Sequence, residues 1–104
     1  METIFEQIRA ERARQDAMWG QQNHKPIEWV AILAEEVGEV SKEALENHFK
    51  QYYPDYDSHL NYRKELIQVA AVAVAMIESL DRNNQSLQDR LIKTCKDFIK
   101  QKGL

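Results

Sequence analysis

The chain has 104 residues, a formal net charge of -3 and 30% charged residues. This length is typical of one domain, spanning residues 1–104. The slightly acidic balance argues against nucleic-acid polymers or a membrane surface as partners, since both attract basic proteins. A single cysteine, Cys95, excludes an intrachain disulfide and agrees with a reducing compartment. The longest apolar run, Val69–Ile77, is shorter than a bilayer-spanning helix, so we expect a cytoplasmic protein.

The chain is rich in helix-forming residues, with only 3 Gly and 2 Pro, and no alternating strand pattern persists in it. The fold class is therefore predicted to be all-α. Four helices are expected: about Thr3–Met18, Ile27–Phe49, from Asp57 or Ser58 to about Leu80, and from Ser86 to about Gln101.

The predicted breaks between these helices rest on turn chemistry. Pro26 suits the first turn of the second helix, where its missing N–H has no partner to lose. The segment 51–57 is predicted to be a loop, because it contains Pro54 and two Asp residues. Ser86 with Asp89 resembles a capping box, and Gly103 is a suitable C-terminal stop for the last helix.

Two acidic pairs stand out on the second and third helices. Glu36 and Glu39 lie three residues apart, and Glu65 and Gln68 repeat that spacing. Residues three apart lie side by side on one face of a helix. Two such pairs facing each other would gather oxygen ligands for a hard cation such as Mg²⁺.

The orientation of the second helix decides whether its carboxylates reach such a site. One broad side is apolar or small: Val30, Ala31, Leu33, Ala34, Val37, Gly38, Ser41, Ala44 and Leu45. The glutamates occupy the other side, where an ordinary solvated acidic face is the simple alternative. Ile32 lies within that acidic arc, which indicates that the arc is not fully exposed.

The third helix gives a stronger reason to expect inward-facing carboxylates. From Leu66 to Ile77 it is apolar nearly all round, as is typical of a helix buried on every side. Glu65 and Gln68 lie at the end of this apolar stretch, where an ionised carboxylate is costly unless it is paired or binds metal. Three thin helices offer too little surface to cover such a helix, so a homodimer or homotetramer is expected.

These residues resemble the all-α nucleotide pyrophosphohydrolase superfamily, in its MazG-like branch, whose motif is EExxE, a spacer, then ExxD. The chain has Glu35-Glu36-Val37-Gly38-Glu39, a spacer of 25 residues, then Glu65-Leu66-Ile67-Gln68. The similarity extends from about Arg14 to Leu80 and departs from the motif at Gln68, where the family usually has Asp.

The resemblance implies a four-helix MazG-like bundle completed by homo-oligomerisation. It also implies hydrolysis of a nucleoside triphosphate to the monophosphate and pyrophosphate. By carry-over, Glu36, Glu39, Glu65 and Gln68 would be Mg²⁺ ligands, and Glu35 would hold or activate the attacking water. His24 lies twelve residues before Glu36, as does a base-pocket histidine in the related dCTP pyrophosphatases, and Trp19 and Trp29 could stack on the base.

One alternative to catalysis follows from the same residues. Gln68 carries no charge, so the chain could be a non-catalytic helical oligomer of this fold that binds nucleotide or a protein partner. Trp29, near the start of a helix, is more often a core residue than a ligand contact. A di-iron carboxylate bundle is excluded, because neither acidic pair is followed by the Glu-x-x-His pattern of those sites.

Overall fold

The computed structural model describes residues 2–49 and 58–103. Four helices and no strand occur in these residues: α1 Ile4–Trp19, α2 Pro26–Phe49, α3 Ser58–Arg82 and α4 Gln85–Gln101. The all-α prediction is confirmed. The predicted loop at 51–57 lies outside the described residues.

The first helix begins at a complete capping box. The Thr3 hydroxyl accepts from the Glu6 backbone N–H at 3.1 Å, and the Glu6 carboxylate accepts from the Thr3 N–H at 3.0 Å. These two bonds satisfy backbone donors that a helix start otherwise leaves without partners. The helix ends at Gly20, whose φ of +73° favours glycine, and whose N–H donates to the Asp16 carbonyl.

The start of α4 corrects one prediction. Asn84 caps this helix, with its side-chain oxygen accepting from the Leu87 N–H at 2.9 Å. Ser86 already lies inside the first turn, so the capping box expected at Ser86 and Asp89 is wrong. Asn is as good an N-cap as Ser, and here it sits two residues earlier, directly after the short turn that ends α3.

The third helix is the centre of the fold. It contacts α1, α2 and α4, whereas the backbones of α1 and α2 do not approach each other in the described residues. Among the residues whose side chains the structure describes, four apolar ones are buried: Trp29, Ala71, Val72 and Ala75. Three of these are small residues of α3, which let the neighbouring helices approach it closely.

An ion-pair network fastens α1 to α3. The Arg12 guanidinium donates to Glu78 on α3 at 2.8 Å, and also to Asp16 and to the Gln15 side-chain oxygen on its own helix, each at 3.0 Å. Only 12% of the Arg12 side chain is exposed. Because solvent screening is weak at such a position, this contact fixes the position of α1 better than an exposed pair would.

The buried side of α2 extends into the acidic arc. It runs through Trp29, Ile32, Leu33, Glu36 and Val40, which are buried or half-buried. Most of the apolar side is exposed, including Val30, Val37 and Leu45. The apolar arc of a helix does not show which part of it meets its own chain, because a second buried face has the same composition.

The last helix stands apart from the others. Within residues 2–49 and 58–103 it contacts α3 alone, and none of its own residues is buried. Its apolar face, which includes Leu91, Ile92, Phe98 and Ile99, is therefore uncovered. Within the described part of the chain, no helix combines the length and apolar character that crossing a bilayer demands.

Candidate functional site

The acidic residues of α2 and α3 meet around Glu36. Glu36 and Glu65 are half-buried, while Glu35 and Glu39 are exposed. Burial raises the pKa of the Glu36 carboxyl group above its ordinary value. Nearby negative charges raise this pKa further, in the order Glu65, Glu35, Glu39 and Glu11. The charges of these four carboxylates, one of them on α1, thus act on the Glu36 carboxyl group.

Gln68 lies on the same side of α3 but is engaged with α1. Its Oε1 accepts from Nε2 of Gln15 at 3.4 Å. Gln15 is itself held by Arg12 and is only 9% exposed. The departure from the family motif therefore coincides with a polar contact between α3 and α1.

Glu11 was missed in the sequence. Its carboxylate accepts from Nε of Arg14 at 2.9 Å at both oxygens, and only 12% of its side chain is exposed. The hydrogen bond from Arg14 lowers the Glu11 pKa and outweighs the opposing effect of burial; Gln68 lowers it further. A sequence signal did exist, because Ile4, Ile8, Glu11 and Gln15 follow one helical stripe at steps of four, three and four.

The donor atoms of this cluster suit a hard divalent cation. Carboxylate and amide oxygens are the ligands that Mg²⁺ prefers, and a cation would offset the repulsion that raises the Glu36 pKa. Across residues 2–49 and 58–103, no three His, Cys, Asp or Glu side chains are arranged to hold one ion. The chemistry of the donor set therefore fits Mg²⁺, and the side chains would have to close around the ion.

A cavity of about 600 Å³ lies between the start of α2 and the end of α3. It begins seven residues before Glu36, which is about 10 Å along the helix. Its lining is mostly apolar, with a few polar side chains: Asn23, His24, Lys25, Pro26, Trp29, Met76, Ile77, Ser79, Leu80, Asn83 and Asn84. This size and mixed character are typical of small-molecule sites.

His24 and Trp29 form one wall of this cavity. Their rings meet edge to face, with centroids 4.8 Å apart and planes at 79°. Nε2 of His24 and Nε1 of Trp29 are buried, and neither has a hydrogen-bond partner among the described residues. Buried polar atoms normally have partners, so these two atoms mark a place where a ligand or water is expected.

The loop that carries His24 is hydrogen-bonded to the end of α3. The Asn23 side-chain oxygen accepts from Arg82 at 3.0 Å and from Asn83 at 2.9 Å, and Arg82 also donates to the Gln22 carbonyl at 3.0 Å. These bonds place His24 against the cavity and couple its position to the α3–α4 turn.

The three predicted base-contacting residues have different surroundings. His24 and Trp29 lie together at the cavity, whereas Trp19 is 57% exposed at the end of α1 and does not line it. Trp29 is only 4% exposed, so its ring is part of the core as well as of the cavity wall. Any base contact by Trp29 would therefore involve an edge of the ring.

No protein-family model, curated protein or solved structure matches this chain. The chemistry of the site is thus inferred from its own residues. Two neighbouring features define it: a cluster of carboxylates that suits a hard cation, and a mostly apolar cavity of small-molecule size.

Proposed function

We propose that the protein is a Mg²⁺-dependent nucleoside triphosphate pyrophosphohydrolase. It cleaves the bond between the α and β phosphates and releases a nucleoside monophosphate and pyrophosphate. The observation that carries this proposal is that Glu36, whose carboxyl group is influenced by Glu35, Glu39 and Glu65, lies about 10 Å along α2 from a base-sized cavity. Their resemblance to the EExxE motif supports the same reaction.

The residues have separate roles in this mechanism. Glu36, Glu39, Glu65 and Gln68 would hold Mg²⁺ through oxygen atoms. When bound there, the ion would shield the triphosphate charge and make the attacking water more acidic. Glu35 is exposed beside them, where its carboxylate orients the attacking water and accepts its proton.

The cavity binds the base of the nucleotide. Its apolar lining removes a planar ring from water, and the unpartnered nitrogens of His24 and Trp29 offer hydrogen bonds that select its polar edge. Trp19 lies outside this wall, so its contact with substrate would have to come from the open side.

We further propose that the active form is a homodimer or homotetramer in the cytoplasm. Leu66, Val74, Ile77 and Leu80 leave an apolar stripe of α3 exposed, although this helix is the core of the fold. The radius of gyration of 17.9 Å exceeds the value of about 13 Å typical of a compact chain of this length. A second copy packed on α3 would cover the stripe.

The decisive experiment is a screen of standard and modified nucleoside triphosphates with Mg²⁺, scoring pyrophosphate and monophosphate together. Matched release of both products, abolished in Glu36→Gln, is the expected result. Release of orthophosphate alone, or no turnover with any triphosphate, would refute the proposal.

The competing function is a nucleotide- or partner-binding oligomer without catalysis. The contact of Gln68 favours it, because the side-chain oxygen of this residue accepts a hydrogen bond from Gln15. In that case nucleotides would bind the cavity without pyrophosphate release.

A further inference from the structure

We propose that α4 of a second copy packs on the apolar stripe of α3 and closes the open side of the cavity at His24 and Trp29. This inference rests on the proposed function for the identity of the ligand, and it adds which segment of the second copy completes the site. The cavity of a single copy is then only part of the binding site, and a bound ligand is enclosed by two chains.

The cavity is open along α3. Ile77 and Leu80 line it, yet they are 60% and 46% exposed. Both also belong to the apolar stripe, so the cavity wall is continuous with the surface that a second copy would cover. Small-molecule sites typically enclose about 70–90% of the ligand surface. A cavity with so exposed a wall therefore needs a cover, and whatever packs on the stripe provides it.

The last helix, α4, lacks cover from its own chain. Leu87 and Gln88 are half-buried at its start, where the Gln88 side chain donates to the Asp81 carbonyl at the end of α3. Every later residue of the helix, from Asp89 to Gln101, is exposed. Short amphipathic helices gain most of their stability from tertiary packing of the apolar face. We therefore expect the apolar face of α4 to be covered by another molecule.

The two uncovered surfaces match in length. The apolar stripe of α3 extends from Leu66 to Leu80, which is about 21 Å along the helix. The apolar face of α4 extends from Leu87 to Ile99, about 18 Å. Both surfaces are exposed in one copy, so α4 does not lie on its own stripe. In a two-fold dimer, each α4 would cover the stripe of the other copy.

The charge of the chain favours a second copy as the partner of α4. Residues 85–104 contain five Lys or Arg and two Asp, a net charge of +3, whereas the other 84 residues carry a net charge of -6. Opposite charges attract two surfaces and favour the matching orientation. The basic α4 of one copy is thus attracted to the acidic body of the other.

The exposed area is large enough for a stable dimer. The chain exposes 8295 Å² of accessible surface, whereas a compact monomer of 12.2 kDa exposes about 6,100 Å². The excess of about 2,200 Å² is well above the roughly 800 Å² that each partner buries in a standard interface. Exchange of α4 between two copies would bury part of this excess.

The test uses Cys95 as a natural reporter. Cys95 is exposed and lies at the centre of the apolar face of α4, three or four residues from Leu91, Ile92, Phe98 and Ile99. Ile77→Cys places a second thiol on the stripe and in the cavity wall. After oxidation with copper–phenanthroline, this variant should shift mostly to a band of twice the chain mass on a non-reducing gel. Leu80→Cys should do the same, and it carries the test if Ile77→Cys does not fold.

Two control variants identify the cross-link. Asn61→Cys, at an exposed position of α3 outside the stripe, should remain a single chain. Adding Cys95→Ser to Ile77→Cys should abolish the dimer band, because the disulfide joins α3 to the partner's Cys95. A dimer band that persists without Cys95 would show α3 packed on α3 and would overturn the proposal. A band in the parent, which can only join two α4 helices, would also overturn it.

Two other partners for α4 are outcomes of the same experiment. A disulfide within one chain, seen as loss of both thiols without a change in mass, would place α4 on its own α3. A basic amphipathic helix also suits an anionic membrane surface. Sedimentation of the parent with vesicles of phosphatidylcholine and phosphatidylserine, combined with no cross-link at Ile77 or Leu80, would identify that partner. Either result would overturn the proposal.

Phe98→Asp tests whether the cover contributes to the site. Phe98 is 55% exposed on the apolar face, so this charge should separate the copies. Binding of the four standard deoxynucleoside triphosphates with Mg²⁺, measured by equilibrium dialysis, should weaken about tenfold, which corresponds to about 60 Å² of apolar surface left in water. Ser86→Asp adds the same charge on the opposite, exposed side of α4 and should bind like the parent. Parent-like affinity in a monomeric Phe98→Asp would overturn the closure of the cavity.

The two assays keep this inference distinct from the proposed function. Cross-linking at Ile77 in a protein that binds no triphosphate would refute the proposed function and support the packing of α4 over the cavity. Triphosphate binding and pyrophosphate release without a cross-link at Ile77 or Leu80 would support the proposed function and overturn the packing.

Discussion

Replacing Ile77 by aspartate is the sharpest test of the proposed oligomer. Ile77 is 60% exposed on the apolar stripe of α3, and Val74 and Leu80 lie beside it. If a second copy covers this stripe, an aspartate there would leave a carboxylate buried without a partner. We therefore expect Ile77→Asp to convert the oligomer to a folded monomer.

The magnitude follows from the exposed part of the side chain. Full burial of an isoleucine contributes about 1.5–3 kcal/mol, so covering the exposed 60% contributes about 1–2 kcal/mol per copy. A two-fold interface contains the residue twice, which gives about 2–4 kcal/mol. Each 1.4 kcal/mol is tenfold, so the dissociation constant should rise roughly 30- to 1,000-fold even before the cost of the charge.

The assay is light scattering coupled to size exclusion, over a dilution series, with circular dichroism to show that the helices persist. Val74→Asp should act in the same direction and lies outside the cavity lining. Asn61→Asp, an exposed position on the same helix outside the stripe, is the control and should remain oligomeric. A parent that is already a stable 12.2 kDa monomer at micromolar concentration, or an Ile77→Asp variant as oligomeric as the parent, would refute the reasoning.

Three further predictions concern the site and the cavity. Glu39→Gln and Glu65→Gln should sharply reduce Mg²⁺-dependent pyrophosphate release without loss of helicity; parent-like turnover in both would remove them from the metal site. Because the pKa of Glu36 is raised in the folded state, its contribution to stability is present in acid and is lost as pH rises through that pKa. Metal-free Glu36→Gln should therefore melt at a higher temperature than the parent at neutral pH, and the difference should vanish below about pH 4. An equal difference at all pH values would argue against the effect of burial and neighbouring negative charges on Glu36. Trp29→Ala should cost about 3–5 kcal/mol in chemical denaturation, because the ring is 4% exposed, whereas Trp29→Phe should cost far less since Nε1 has no partner to lose.

Local sequence chemistry predicted the helices well. Pro26 begins α2, and Gly103 follows α4 with a φ of +70°, both as expected from their backbone preferences. The start of α4 was misplaced by two residues, because Asn84 and Ser86 are equally good caps and only the actual turn distinguishes them.

Which side of α2 is buried was harder to predict than where the helix begins and ends. Periodicity places Val30 and Val37 on one apolar side, yet the chain buries Trp29 and Glu36 against α3 instead. A helix that packs against the rest of the protein on one side and is apolar on another has two candidate buried faces. Periodicity shows where these faces lie around the helix axis but not which neighbouring element covers each one.

The site was partly predictable for a related reason. The spacing of Glu36 and Glu39 and the apolar setting of Glu65 predicted a shared cluster. The charges of Glu39 and Glu65 do act on the Glu36 carboxyl group. Glu11 escaped notice because α1 is polar overall, and an isolated acidic residue on a polar helix is usually solvated. Its low exposure in the folded chain separates it from the exposed Glu6 on the same helix.

Because α1 and α2 are both attached to α3 and their backbones do not approach each other, α1 can detach without disturbing the α2–α3 pair. Such partial opening is visible as faster amide hydrogen exchange in one helix than in its neighbours. The contacts that hold α1 include those of Arg12 and Gln15, which also support the acidic cluster. Loading the cluster with a divalent cation should therefore slow exchange selectively in α1, so that a fold built around one central helix carries the state of its site to a neighbouring helix.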